Sequence, residues 1–156
     1  MDDLLPVRLV GGVSESSVEK GFARAVAVSL HGVMRLEGDH LVIEWSGTRH
    51  VSEAGRGTAR SAVEQLPVSR ATIPVASLGR VTLRRHWWRR RLEIASADLS
   101  ALQAIPTARA GRVVLEITRA DRHLAADLVS QIELAAADHA LAAAEQLRAL
   151  PPRDSR

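Results

Sequence analysis

The sequence predicts a β-rich α+β fold, a barrel of about seven antiparallel strands in two bent sheets, capped by one long C-terminal α-helix. Three observations carry this expectation. Apolar residues recur at every second position in several short segments between residues 22 and 117, as half-buried strands require. Glycine-containing turns separate those segments. Residues 119–150 then contain neither Gly nor Pro, are rich in Ala and Leu, and stop at Pro151-Pro152, the composition of a helix with a hard end.

The elements follow in chain order. Residues 1–20 begin with Leu4, Leu5, Val7, Leu9 and Val10, pass Gly11-Gly12 and enter a Ser/Glu-rich stretch, which reads as an N-terminal arm or edge strand. From Phe22 the pattern alternates, with Val26, Val28 and Leu30 interleaved by Ala27, Ser29 and His31. Gly32 punctuates it, Met34 and Leu36 continue to the turn Gly38-Asp39, and Leu41, Ile43 and Trp45 alternate on the way out as the return strand of a hairpin. Residues 47–69 are polar, contain Gly47, Gly55, Gly57 and Pro67, and read as a long loop with room for a turn of helix.

Order resumes at residues 71–74. Val81 and Leu83, then Leu92 and Ile94, define a second hairpin around an arginine and tryptophan cluster. A connector through Leu99, Leu102 and Pro106 leads past Gly111 to a last strand with Val113, Leu115 and Ile117 on one face. In the helix, Thr118 with Asp121 three residues on resembles a capping box. At about 100° per residue, Ala125, Leu128, Val129, Ile132, Ala136, Ala140, Ala143 and Leu147 share one stripe, the face expected to bury. The expected core is Val26, Val28, Leu30, Leu41, Ile43, Val81, Leu83, Leu92, Ile94, Val113, Leu115, Ile117, Leu128 and Ile132.

Length and composition bound the function. A chain of 156 residues has room for one ordinary domain, expected over 21–150 with a disordered tail at 151–156. It has no Cys, hence no disulfide, no thiolate nucleophile and no zinc site of the usual structural kind. The first residues are Met1, Asp2 and Asp3, acidic where a secretory signal is basic, and no apolar run approaches the roughly 18 residues of a membrane span, so a cytoplasmic location is expected.

The pI of 10.8 suggests strong basicity, yet the formal net charge is only +3. With no Tyr, no Cys and Lys20 as the only lysine, little titrates between histidine and arginine, so a small excess lifts the pI far. The position of that excess matters more. Residues 84–91 hold five arginines and no acid, leaving the rest of the chain with a slight negative excess.

The run Ile73-Pro74-Val75-Ala76-Ser77-Leu78-Gly79-Arg80-Val81, the tryptophan hairpin after it, and the junction Ile117-Thr118-Arg119-Ala120-Asp121-Arg122 resemble the bacterial pleckstrin-homology-like (PH-like) domains of uncharacterised proteins, over about residues 22–150 by element order. The resemblance implies strongly bent antiparallel sheets with the helix covering one open end, a scaffold without chemistry of its own. Lipid-binding eukaryotic relatives hold phosphoinositide headgroups on basic residues beside the first inter-strand loop. Here only Arg35 lies near the early turns, so that site does not carry over.

The one conspicuous constellation is Arg84, Arg85, His86, Trp87, Trp88, Arg89, Arg90 and Arg91. Guanidinium groups hold phosphate in a bidentate fork, and tryptophan stacks on bases, sits at membrane interfaces or anchors protein contacts. The plainer reading keeps one tryptophan inside, lays the other under arginine stems, and uses the charges to keep an exposed hairpin soluble. Leu134 and Leu141 form a second candidate, two turns apart and opposite the main helix stripe, where a partner helix or a second copy could dock; isolated exposed leucines are the plainer reading.

The six histidines show no zinc-ligand spacing, Gly55-Arg56-Gly57 lacks the surroundings of a phosphate cradle, and no local pattern sets a nucleophile beside a base. No cofactor, metal site or catalytic residue is expected. Three function classes remain. The leading one is a non-enzymatic interaction or scaffold module that uses a sheet edge, the tryptophan hairpin or the outer helix face to bind protein, with itself as one candidate partner. An alternative is an anion-binding module for acidic phospholipid headgroups or nucleic acid, for which five arginines on phosphate would give a salt slope of about −4.5 on duplex DNA. The third, a ligand carrier or enzyme using the barrel interior, conflicts with inward positions filled by Val, Leu and Ile.

Overall fold

The computed structural model describes residues 5–86 and 89–149, so the expected tail at 151–156 lies outside the described residues. Seven strands form: β1 (Val7–Glu19), β2 (Phe22–Glu37), β3 (His40–Gly55), β4 (Thr58–Pro74), β5 (Leu78–His86), β6 (Arg89–Ser96) and β7 (Arg112–Ile117). A short helix α1 (Leu99–Gln103) precedes β7, and the long helix α2 (Arg122–Ala149) follows it. The β-rich α+β class, the antiparallel strands and the C-terminal helix are therefore as the sequence predicts.

Several local expectations are corrected. The strands form one sheet, ordered β4-β3-β2-β1-β7-β6-β5, in place of two, with β4 and β5 at its two ends. The join is narrow: β1 pairs with β2 along its whole length but with β7 only through Leu9↔Ile117 and Val10↔Glu116. Far from being an arm or edge, β1 lies inside the sheet, because Val7 and Leu9 alternate into the core.

Residues 47–69 are strand as well, where a long loop is expected. Arg56-Gly57 makes a two-residue turn, with Gly57 at φ +87°, and β4 runs back along β3 from Thr58. This region hides its strands from pattern reading because nothing covers it: 14–19, 22–25 and 58–65 are exposed throughout, with no apolar-in, polar-out alternation to find. The four strands β1–β4 thus extend past the core as a blade that meets water on both faces.

The core lies at the other end of those strands. Val28, Leu30, Leu41, Ile43, Val81, Leu92, Ile94, Val113, Leu115 and Ile117 are buried there as expected, with Leu128 and Ile132 from α2, while Val26 and Leu83 are only half-buried. Val7, Leu9, Met34, Trp45, Ile73, Val75, Leu102 and Ile105 are buried with them.

Only the first half of α2 docks, against β5, β2 and the turn at Val75–Ser77. Ala125, Leu128 and Ile132 are buried and Val129 and Ala136 half-buried, but Ala140, Ala143 and Leu147, expected on the buried stripe, are exposed. The reason is length. A 28-residue helix spans about 42 Å at 1.5 Å per residue, and its last fully buried residue, Ile132, lies only about 15 Å from its start.

The expected capping box is not made. Asp121, only 4 % exposed, turns from the helix end to β1. Its carboxylate accepts from the Arg8 backbone N–H at 2.8 Å and from Arg8 Nε and Nη2 at 2.9 Å each. Those bonds hold its pKa at about 2, below the ordinary 3.8. A carboxylate depressed by folding stabilises the native state above its unfolded pKa, and that contribution disappears as pH falls from about 4 to about 2. Unfolding free energies from urea denaturation are expected to fall through this window, and the fall is expected to be smaller in Asp121→Asn by about 1–2 kcal/mol, discounted for the water around Arg8. Parallel curves for both proteins would refute it.

Candidate functional site

The arginine hairpin is a two-sided structure. β5 and β6 pair through Leu83↔Leu92, Arg84↔Arg91, Arg85↔Arg90 and His86↔Arg89. Opposed residues share a face and successive residues alternate. Leu92 is buried, so Leu83, Arg85 and Arg90 belong to the core-side face, whereas Arg84, Arg89 and Arg91 belong to the outer one. The five arginines therefore do not form one patch. Trp87 and Trp88, named with them from the sequence, lie outside the described residues.

Two arginines that the sequence reading did not include complete the outer face. Arg80 precedes buried Val81 on β5, and Arg112 precedes buried Val113 on β7, so both point away from the core. Alternation around Val81 and Val113 was the signal that could have found them.

Two glutamates lie among these guanidinium groups. Glu93 takes Arg112 at 3.0 Å and Arg84 at 3.6 Å, and Glu116 takes Arg89 at 3.2 Å and Arg91 at 3.9 Å. Arg80, Arg84, Arg89, Arg91 and Arg112 against Glu93 and Glu116 leave an excess of about three positive charges on the outer face of β5–β7. A shallow groove beside Arg89, Arg91 and Glu116 continues across β1 past Val10 and Gly12 to Ser29.

The outer face of β2–β4 is built differently. Arg35 donates to Glu37 at 2.6 Å and to Glu44 at 3.0 and 3.2 Å, and Arg70 donates to Glu37 at 2.7 Å. Hydrogen bonds from Arg35 hold the Glu44 carboxyl below its usual range. Two cations and two anions balance, so this network ties strands together without offering excess charge.

The second sequence candidate lies on the exposed side of the continuous helix α2. Leu134 and Leu141 are 64 % and 65 % exposed, and Leu141 lies on the part of α2 that extends past the sheet. Nothing in the sequence reading pointed to the blade. Its core-side face carries cross-strand pairs such as Arg24–Glu53 at 3.4 Å and Arg49–Glu64 at 3.5 Å. Its other face is uncharged across four strands, with Ser16 and Val18, Ala23 and Ala25, Ser52 and Ala54, and Ala59 and Ser61 in register. On the charged, core-side face, Phe22 is exposed at the far tip beyond Arg24 and lies over Gly55, where a Cβ would come within 2.3 Å of its ring.

No family model, no curated protein and no solved structure matches this chain.

Proposed function

We propose that this chain is a non-enzymatic interaction module of PH-like architecture, which binds protein through the blade formed by the far halves of β1–β4. One observation carries the reading. Sheet that lacks a covered face is costly to keep, since strands draw most of their stability from a packed side, yet here four strands project past the core with Val18, Phe22 and Val63 exposed. A partner laid on the blade would supply the missing cover. Seven antiparallel strands followed by a helix that docks on the core support the PH-like assignment.

A second reading, anion binding, draws on the cationic outer face of β5–β7. Its charge excess predicts a slope of log affinity against log salt on duplex DNA of about −2.7, in place of the −4.5 expected if all five hairpin arginines met phosphate.

One experiment separates the two. The immobilised chain is exposed to native extract beside two folded variants, Val18→Asp/Phe22→Ser on the blade and Arg84→Glu/Arg89→Glu/Arg91→Glu on the outer face. Retained protein should vanish for the blade variant and persist for the charge variant. Retention that survives in the blade variant overturns the protein-binding reading, and a salt slope near −2.7 that is abolished in the charge variant establishes the anion reading in its place.

A further inference from the structure

The two ends of the sheet are unlike. β5 lies against α2 and carries Arg80, Arg84 and Arg85, charges that discourage a further strand from adding there. β4 ends the sheet on the other side. Over residues 58–66 it reads Thr-Ala-Arg-Ser-Ala-Val-Glu-Gln-Leu, exposed throughout except at half-buried Leu66, with no Pro, Gly or Lys to guard the edge. Pro67, which has no backbone N–H to donate, closes this stretch.

The charges on this edge are self-complementary. Arg60 and Glu64 share the core-side face of the blade, with Ala62 midway between them. Across the sheet, Arg60 stands opposite Glu53, which pairs with Arg24, while Glu64 stands opposite Arg49 and pairs with it. Each row therefore ends at the edge on an unlike charge, positive in one and negative in the next.

From this arrangement we infer that β4 pairs antiparallel with β4 of a second copy, about a two-fold axis at Ala62, to make one continuous sheet across a homodimer. In that register Arg60 faces Glu64 of the second copy, and the symmetry repeats the pair. The row across the junction then reads Arg24, Glu53, Arg60, then Glu64 and Arg49 of the second copy, alternating in sign at every step. Neighbouring registers lose this. With the axis at Ser61, Arg60 meets Ala62 and Glu64 meets Thr58; with it at Val63, Arg60 meets Leu66 and Glu64 meets Ala62. On the opposite face the Ala62 register sets Ser61 against Val63 and Ala59 against Gln65, with no charge to bury.

The inference rests on the interaction-module reading and names a second copy as a partner. Sedimentation velocity on the full chain is expected to show a concentration-dependent dimer. Arg60→Glu and Glu64→Arg each turn both facing pairs into like charges and should weaken it by about tenfold or more. Mixing the two variants in equal amounts should recover the wild-type affinity, because in the mixed dimer both facing pairs regain opposite sign. Amide exchange in wild-type residues 58–66 should speed up on dilution, a readout that needs no variant.

A monomer at the highest soluble concentration, a mixture no tighter than the single variants, or exchange in 58–66 indifferent to dilution would each overturn the pairing. Val18→Asp/Phe22→Ser leaves the β4 edge unchanged and should remain dimeric. Loss of the dimer in wild type with extract protein still captured thus rejects only the edge pairing, and an intact dimer with capture unaffected by the blade variant rejects only the module reading.

Discussion

Gly47→Ala is expected to cost about 3 kcal/mol or more, the upper end of what forcing an atom into a packed site costs. A Cβ at residue 47 would lie 2.1 Å from the Ser29 carbonyl oxygen and 2.9 Å from Leu30 Cδ2. The first contact is with backbone of the paired strand, which cannot swing aside as a side-chain end does. Gly32 presents the same problem from β2, its Cβ position lying 2.0 Å from the Glu44 carbonyl oxygen. The two glycines sit two rungs apart, at Leu30↔Gly47 and Gly32↔Trp45, and the β3–β4 register shifts between Trp45 and Gly47. Here the core-covering half of the sheet bends into the blade, and side-chain-free positions let β2 and β3 approach at the bend.

Gly12→Ala is the control, since its Cβ would meet nothing nearer than the Val28 carbonyl oxygen at 3.5 Å. Urea denaturation followed by far-ultraviolet circular dichroism checks both. With domains of this size typically stable by 5–15 kcal/mol, Gly47→Ala should lose a large part of the total while Gly12→Ala is near neutral. Equal effects at the two positions would show that the bend does not depend on the missing side chain.

What could be read from sequence follows from which surfaces are covered. Leu30, Leu41, Ile43, Leu92, Ile94, Val113 and Leu115 were legible because each sits on a strand with one wet and one dry face, which writes a period of two into the chain. The far halves of β3 and β4 were not, because both faces are wet and Arg49, Val51, Ser52, Glu53 and Arg60 obey no burial rule. There Gly55, Arg56 and Gly57 suggested a loop, when they mark the turn of a hairpin. The arginine run was conspicuous as composition, but its division between two faces needed the strand phase, set by Leu83↔Leu92 and Ile94↔Val81. Asp121 was visible as a helix-start acid, and its true partner, Arg8, lies 113 residues away, a separation no local pattern spans.

The helix shows the limit from the other direction, and it yields the second large effect. Its apolar stripe runs from Ala125 to Leu147 in the sequence, but the sheet lies behind only the first part, so docking rests on Ala125, Leu128 and Ile132 with help from Val129 and Ala136. Periodicity records which face is apolar, not where the surface it packs on ends. Leu128→Ala is therefore expected to cost about 3 kcal/mol, since it removes one of the two large side chains of α2 that are fully buried and leaves a cavity among residues at native packing density. Leu147→Ala, on the same stripe but 70 % exposed, is expected to cost less than about 0.5 kcal/mol. Chemical denaturation of the pair distinguishes a helix docked along its full stripe from one docked by its first half. Similar losses at both positions would require cover over the last two turns of α2, and the ratio expected from the observed burial is at least about sixfold.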